Sequence, residues 1–237
     1  MNRADRNPPG PAAVVDAAIV SRRAIRAFLP DPIPQSVLED ILRVASLAPS
    51  GTNTQPWNVH VLTGPALHRL TLAILAVYDD PEQLALHKDE YSYYPQKWVE
   101  PYASRRRKIG ADLYGLLGIG RADTQKIRAQ WARNYHFFDA PVGLIFSIDR
   151  ALAQGSWLDY GMFLENVMVA ARARGLDTCP QAAFLQFHQL IREQLGISAE
   201  FMIVCGMSLG RADMSRPENA LVTERRPIEE FVHFVSQ

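Results

Sequence analysis

Apolar side chains recur at helical spacing over Val37, Leu38, Ile41, Leu42 and Ala45, with Ser36 and Glu39 in a capping-box relation just after Pro32 and Pro34. This pattern predicts a helix from about Ser36 to Leu47 that stops before Pro49. Upstream, Ala12 to Val20 is apolar and Ala-rich and reads as a short helix ending at Ser21-Arg22-Arg23, while residues 1–11 read as a flexible tail. Ala48 to Trp57 is rich in turn formers and small polar side chains, and it feeds the alternating Val59-His60-Val61-Leu62 of a strand. A polar loop feeding a strand is a common place for a binding site. A helix follows over Ala66 to Tyr78; the pattern then breaks from Asp79 to Pro101 and resumes in two helices near 102–117 and 122–135.

Val142 to Ile148 and Phe201 to Gly206 are continuous apolar runs of buried-strand length, and Trp157 to Arg174 is long enough to be a buried helix. Between them, Gly175 to Phe184 reads as a turn-rich link and His188 to Leu195 as a short helix. No repeat or low-complexity linker divides the chain, so one α+β domain over 12–237 is expected, with an aromatic-rich excursion at about 79–137. The last stretch, about 210–237, is polar until Ile228 and then carries Phe231, Val232, Phe234 and Val235. If ordered, such a tail must dock, and a neighbouring subunit is one place for it.

Composition narrows the function classes. The 237 residues are 48% apolar and 21% charged, the balance of a globular protein. Scaling of surface with mass gives about 11,000 Å² folded against about 39,000 Å² unfolded, so a sizeable core is available. With 25 basic and 25 acidic side chains, a general nucleic-acid binder is disfavoured, because that affinity rests on a basic excess. The basic residues are 21 Arg and 4 Lys, a bias toward the guanidinium fork that suits bidentate anion binding or reflects codon usage. Two cysteines, Cys179 and Cys205, are too few for a disulfide framework. A cytoplasmic protein without a membrane association is expected, since the start of the chain lacks a signal-peptide apolar region and no apolar run reaches spanning length.

Most chemical motifs are missing. Gly115-x-x-Gly118-x-Gly120 has the wrong spacing for a phosphate loop and reads as a helix terminus. The six histidines make no i, i+4 pair of metal-ligand type, and no nucleophile elbow occurs, so neither a metal centre nor hydrolysis has support. The run Arg105-Arg106-Arg107-Lys108 points in different directions on a helix and reads as a solvated face. Arg22, Arg23 and Arg26 stand together at a helix end, where they either compensate the helix dipole or bind an anion. The aromatics Tyr91, Tyr93, Tyr94, Trp98 and Tyr102, set among charges and prolines, are either core or the mouth of a pocket for a flat ligand.

Taken in order, Ser21-Arg-Arg-Ala-Ile-Arg26, Ala48-Pro-Ser-Gly-Thr-Asn-Thr-Gln-Pro-Trp57, Gly175-Leu-Asp-Thr-Cys-Pro180 and Arg225-Arg-Pro227 resemble the nitroreductase family of FMN-dependent oxidoreductases. The resemblance spans about Val14 to Phe234. Tyr93-Tyr94-Pro95, Phe137 to Val142, Gly155 to Gly161 and Glu218 to Glu224 are similar to the nitrobenzoate-reductase-like branch. It implies a nitroreductase-like α+β fold, with a central mixed sheet flanked by helices, and an intertwined homodimer whose C-terminal tails are exchanged. It also implies FMN at the dimer interface, with NADH or NADPH as electron donor and a small aromatic substrate.

By the same resemblance, Arg22 and Arg225 contact the FMN phosphate, Arg26 approaches the pyrimidine edge of the ring, and Arg23 and Ala24 belong to the same cofactor segment. Pro49, Ser50, Gly51, Asn53 and Gln55 belong to the loop that the other subunit lays against the flavin. Pro180, Gln181, Ala182 and Ala183 match the segment that offers backbone groups near N5, and Tyr94, Trp98, Phe137 and Phe138 are candidates for the substrate pocket. Such roles suit the chemistry: guanidinium forks bind a dianionic phosphate by charge-assisted bonds, and a fixed cation stabilises the anionic reduced ring. No catalytic acid, base or nucleophile of the protein's own is implied. Two departures stand out. Ala24 replaces a Ser that hydrogen-bonds the cofactor in many relatives, and Ala182 and Ala183 replace acidic and glycine residues. The resemblance implies ping-pong reduction of a nitroaromatic, nitrobenzoate-like by branch, to nitroso and hydroxylamine products; the alternative is an FMN-dependent reductase or dehydrogenase acting on a quinone, enone or specialised metabolite, and behind it a flavin-binding role without turnover.

Overall fold

The computed structural model describes residues 10–236. The expected tail over 1–11 therefore falls mainly outside the described residues, and Pro11 already opens a helix. Eight helices are described: α1 (Pro11–Ser21), α2 (Gln35–Ala45), α3 (Gly64–Asp79), α4 (Pro81–Leu86), α5 (Tyr102–Leu116), α6 (Thr124–Ala132), α7 (Gln154–Ala173) and α8 (His188–Leu195). The strands β1 (Asn58–Thr63), β2 (Val142–Asp149), β3 (Asp177–Gln181) and β4 (Phe201–Gly210) form one sheet in the order β1-β2-β4-β3.

All three strand pairings are antiparallel, which corrects the expectation of a mixed sheet. Among the described residues, parallel pairing is confined to one isolated bridge, Ala24 with Thr178, on the outer edge of β3. The segment after α1 does not lengthen that bridge into a strand because Arg26 gives both its N–H and its C=O to side chains, Asn219 and Arg133.

The continuous apolar run of β2 is explained by helices on both faces. Val142, Leu144, Phe146 and Ile148 pack with Leu38, Ile41 and Ala45 of α2 and Phe163 and Val167 of α7. On the opposite face, Ile145 packs with Leu70 and Ile74 of α3, Ile191 of α8, and Phe137 and Phe184. A bulge where Phe146 faces Cys205 and Ser147 faces Ile203 leaves Val204 as the extra residue. It explains why the consecutive Val204 and Cys205 lie in the same core. Gly206 is required on the other face, since a Cβ there would strike the Phe184 ring.

Three further expectations change. The capping box at Ser36 is not formed: Pro34 precedes the helix without a side-chain cap, and Glu39 instead accepts a 2.8 Å hydrogen bond from Gln35. The link over 175–184 contains β3, whose Pro180 is tolerated because the strand lies at the sheet edge. The second helix of the excursion ends at Ala132 and gives way to a tight turn in which Phe137, Phe138 and Asp139 all have positive φ. No helix among the described residues is long and apolar enough to cross a membrane.

After β4, residues 211–236 form no strand, only single helical turns at Pro217–Ala220 and Ile228–Glu230. Phe234 and Val235 are 92% and 87% exposed. Together with α1, whose Val14, Val15, Ile19 and Val20 are exposed, this tail helps raise the accessible surface to 14,920 Å², against about 11,000 Å² for a compact monomer of this mass.

Candidate functional site

A cleft that gathers seven of the eighteen candidate residues, and not Arg22, Arg23 or Ala24, has a volume of about 520 Å³ and lies where the end of β3 meets α5, α6 and the loop after α4. Arg26, Pro180, Gln181, Ala182, Ala183, Tyr94 and Phe138 all line it. They arrive from four separate stretches of chain. β3 positions the 180–183 segment: Gln181, 3% exposed, accepts a 2.6 Å hydrogen bond from Ser208 Oγ and donates at 2.8 Å to the carbonyl of Asn134. Its amide is thus committed to the protein, leaving the main chain of this segment to face a ligand. Arg26 is placed by the bridge of Ala24 to Thr178 and by the bond from the Ile25 N–H to the Thr178 carbonyl at 3.1 Å.

The electrostatics of this edge are cationic. Burial pushes the Cys179 thiol up to about 11, while Arg26 and Arg22 pull it the other way, so both guanidiniums act on the inner end of the cleft. Cys179 is consequently an inert buried thiol. The Arg22 side chain is 19% exposed, and its ion pair with Glu165 is long at 3.8 Å, which leaves most of its donors uncommitted. Arg23 is exposed, and its field opposes the rise that burial imposes on Asp177.

Other candidates lie elsewhere. Pro49, Gly51, Asn53 and Gln55 are exposed and Ser50 is half-buried, and none of them lines the cleft of its own chain. Their loop is nevertheless built: Gly51 donates to Asp159 Oδ2 at 3.0 Å and Gln55 to Ser50 Oγ at 3.0 Å, while Thr52, Asn53 and Gln55 hold positive φ. Arg225 is exposed and donates to Thr223 and Glu224 of its own segment. Trp98 packs its ring 5.5 Å from Tyr94, beneath the Arg106 guanidinium, and does not line the cleft.

Phe137 does not line this cleft. It is fully buried, with its ring stacked 4.5 Å from Phe184, because the positive-φ turn directs it under the sheet beside Gly143. A larger groove of about 900 Å³ runs between α2, β1 and α3, and it contains none of the candidate cofactor residues.

The structure adds Trp131, Asn134 and Arg133, which the sequence did not mark, and gives a place to Glu218 and Asn219, which it marked only within the branch-like block 218–224. Trp131 and Asn134 line the cleft from the end of α6, where a Trp in a polar helix was the available signal. Asn219, 1% exposed, accepts from the Arg26 N–H at 2.8 Å, and Arg133 donates to the Arg26 carbonyl at 3.1 Å. Glu218, adjacent to Asn219, is likewise 1% exposed. Nothing in the pattern around 218–219 signals a contact with a residue nearly two hundred positions away.

The family model for the nitroreductase family matches residues 19–211. The chain is 43% identical to a 4-nitrobenzoate reductase of Pseudomonas putida, covering 93% of this chain and 95% of the relative. It is 44% identical to a nitrobenzene nitroreductase of Ectopseudomonas oleovorans, covering 94% and 97%. Its fold superposes on the crystal structure of the FMN- and NADPH-dependent nitroreductase NfnB of Sphigopyxis sp. strain HMH with a TM-score of 0.89, at 32% identity and covering 94% and 99% of the two chains. On this breadth of match, the chain belongs to the nitroreductase family.

Proposed function

We propose that this chain is an FMN-dependent NAD(P)H oxidoreductase that reduces nitroaromatic compounds in alternating half-reactions. The observation that carries the reading is the single cleft in which Arg26 and the 180–183 segment meet under the aromatic wall of Tyr94, Phe138 and Trp131. When bound, FMN supplies the two-electron chemistry, taking a hydride from NAD(P)H and delivering it to the nitro group to give nitroso and then hydroxylamine products.

The residues present fit such a group. Arg22 and Arg26 give an anion-seeking edge that acts on the buried Cys179, Asp89 is the one carboxylate among the lining residues of the cleft, and the cleft is of ligand size. Arg26 would stabilise negative charge on the reduced ring, and the Tyr94, Phe138 and Trp131 side chains would sandwich flat ligands and exclude water.

We read the functional unit as a homodimer. Support comes from the surface in excess of a compact monomer, the exposed apolar α1 and tail, and the placement of the 49–55 loop and Arg225 away from their own cleft. In that assembly the loop and the tail of one subunit complete the other's cofactor site.

The test is anaerobic. The purified protein should carry or take up FMN, its visible absorption should bleach with NADH or NADPH, and colour should return on adding nitrobenzene or 4-nitrobenzoate with formation of the hydroxylamine. A protein that takes up no FMN, or whose reduced form is not reoxidised by any nitroarene, ends the proposal. Light scattering should give twice the mass of the chain.

A further inference from the structure

The segment that carries Arg26 is held to the body of the protein mostly by main-chain hydrogen bonds. Ile25 donates to Thr178, Phe28 to Phe138 and Leu29 to Arg211, and the carbonyl of Ala27 accepts from Asp213. Residue 26 is different: its N–H donates to Asn219 Oδ1 at 2.8 Å and its C=O accepts from Arg133 Nη2 at 3.1 Å. Both of its peptide groups are therefore held by side chains, at the position whose own side chain lines the cleft.

The two holders are themselves fixed. Asn219 also donates to the carbonyls of Ala27 and Asp213, at 2.8 and 2.9 Å, so three of its hydrogen bonds converge on this corner. Arg133 is tied to Asp139 at 3.1 Å and lies 3.9 Å from the carboxylate of Glu218. The Glu218 side chain is wholly buried, with Arg216 at 3.5 Å as its other cation, and neither of its oxygens has a hydrogen-bond partner. A buried carboxylate without hydrogen bonds costs stability. Here it supplies a counter-charge to the guanidinium that grips residue 26.

We infer that Asn219 and Arg133, with Glu218 as counter-charge, are positioning residues that clamp Arg26 and thereby set the reduction potential of the flavin. The inference rests on the proposed function, in which FMN occupies the cleft beside Arg26. A guanidinium stabilises the reduced ring only in proportion to how closely it is held, because the interaction falls with distance and is weakened when a mobile side chain is solvated. Anchoring both peptide groups of the residue removes the backbone freedom that would otherwise blur its position. The clamp also couples the cleft to the C-terminal segment, since residues 213–219 reach the Arg26 main chain through Asn219 alone among the bonds described.

The test is a double-mutant cycle on the FMN-loaded enzyme, read as the flavin midpoint potential against a reference dye and as the FMN dissociation constant from fluorescence quenching. Arg26→Ala should lower the potential, and Asn219→Ala should lower it in the same direction by at least half as much. In the Arg26→Ala background, Asn219→Ala should produce no further shift. A merely structural role for Asn219 would give a shift of the same size in both backgrounds, or none, and either result overturns the clamp. If Asn219→Ala does not fold, Arg133→Gln releases Arg26 from its carbonyl side and carries the same expectation. Failure of the wild-type chain to take up FMN would overturn the proposed function and the clamp with it. Normal FMN uptake with an unchanged potential in folded variants would overturn the clamp alone.

Discussion

The backbone N–H of Gly51 donates a 3.0 Å hydrogen bond to Asp159 Oδ2, joining the polar loop after α2 to the first half of α7 across 108 residues of sequence. The loop needs that anchor. Thr52, Asn53 and Gln55 hold φ of 50°, 61° and 48°, a region that side chains other than glycine occupy at a cost. Asp159 is 8% exposed, so its carboxylate works at low dielectric. Asp159→Ala should destabilise the chain by about 1–3 kcal/mol, as the loss of a charged hydrogen bond does, seen as a lower urea midpoint. If the loop completes a partner's cofactor site, FMN affinity should fall in the same variant, whereas an unchanged dissociation constant would separate the loop from the cofactor.

A second anchor predicts acid sensitivity. Glu90, with its side chain 4% exposed, accepts from the Ile203 N–H at 2.8 Å, from Arg192 at 2.6 Å and from Arg150. Burial alone pushes its carboxyl up, but these donors and His188 together outweigh burial and hold it below the ordinary 4.5. His188, 3.2 Å from the carboxylate, is itself pushed down from 6.5, by burial first and by Arg192 and Arg150 next, against the pull of Glu90. For both groups the unfolded chain binds the proton more readily, so stability rises with pH across each window. It should be fully present above about pH 6.5, fall first as the unfolded state takes up a proton at His188, and fall again below about pH 4.5 as Glu90 protonates. Glu90→Gln should cost about 1.5–3 kcal/mol at neutral pH and flatten the lower of the two steps in urea titrations run from pH 7 to 3. A profile as steep as that of the wild type would show that other carboxylates govern acid unfolding.

Legibility followed the range of the interactions. α2, α3, α7, β1 and β2 were readable because their apolar periodicity is local and their burial is one-sided or complete in the way the pattern states. β3 was not, because Asp177-Thr-Cys-Pro-Gln181 looks like a turn until β4 supplies the hydrogen-bond partners that make it an edge strand. Phe137 and Phe138 read alike as neighbours in sequence, and both are buried in one core at positive φ, yet only Phe138 also reaches the cleft wall. The arginines of 22–26 were picked out by composition and family resemblance. What holds Arg26 was not legible: Asn219 lies in the branch-like block 218–224, but its contact with residue 26, like that of Arg133, exists only in the tertiary fold.

Ala24 offers a test by restoration. It pairs with Thr178 at the edge of β3, two residues before Arg26 and beside the cationic corner, but it brings no polar side chain to that edge. The family resemblance implies that a Ser at this position would hydrogen-bond the cofactor. Ala24→Ser should therefore add one hydrogen bond worth about 1 kcal/mol and tighten FMN binding about fivefold, measured by quenching of flavin fluorescence. Equal dissociation constants in the two proteins would place the hydroxyl away from the cofactor.

Trp131 is the cleft residue whose role is most open to kinetic test, because it is 51% exposed and makes little contribution to the core. It stands on the last turn of α6, one turn before the tight bend at Phe137, so its ring forms a rim to the wall made by Phe138 and Tyr94. An offset-stacked aromatic pair is worth about 1 kcal/mol, which corresponds to about fivefold in binding. Trp131→Ala should raise KM for nitrobenzene by that factor while leaving the flavin midpoint potential and the rate of bleaching by the nicotinamide donor unchanged. Stability should move by less than about 0.5 kcal/mol, as for other exposed substitutions. The combination distinguishes a substrate-binding rim from a cofactor contact: a shift in potential would place Trp131 against the flavin, and an unchanged KM would place the substrate away from Trp131.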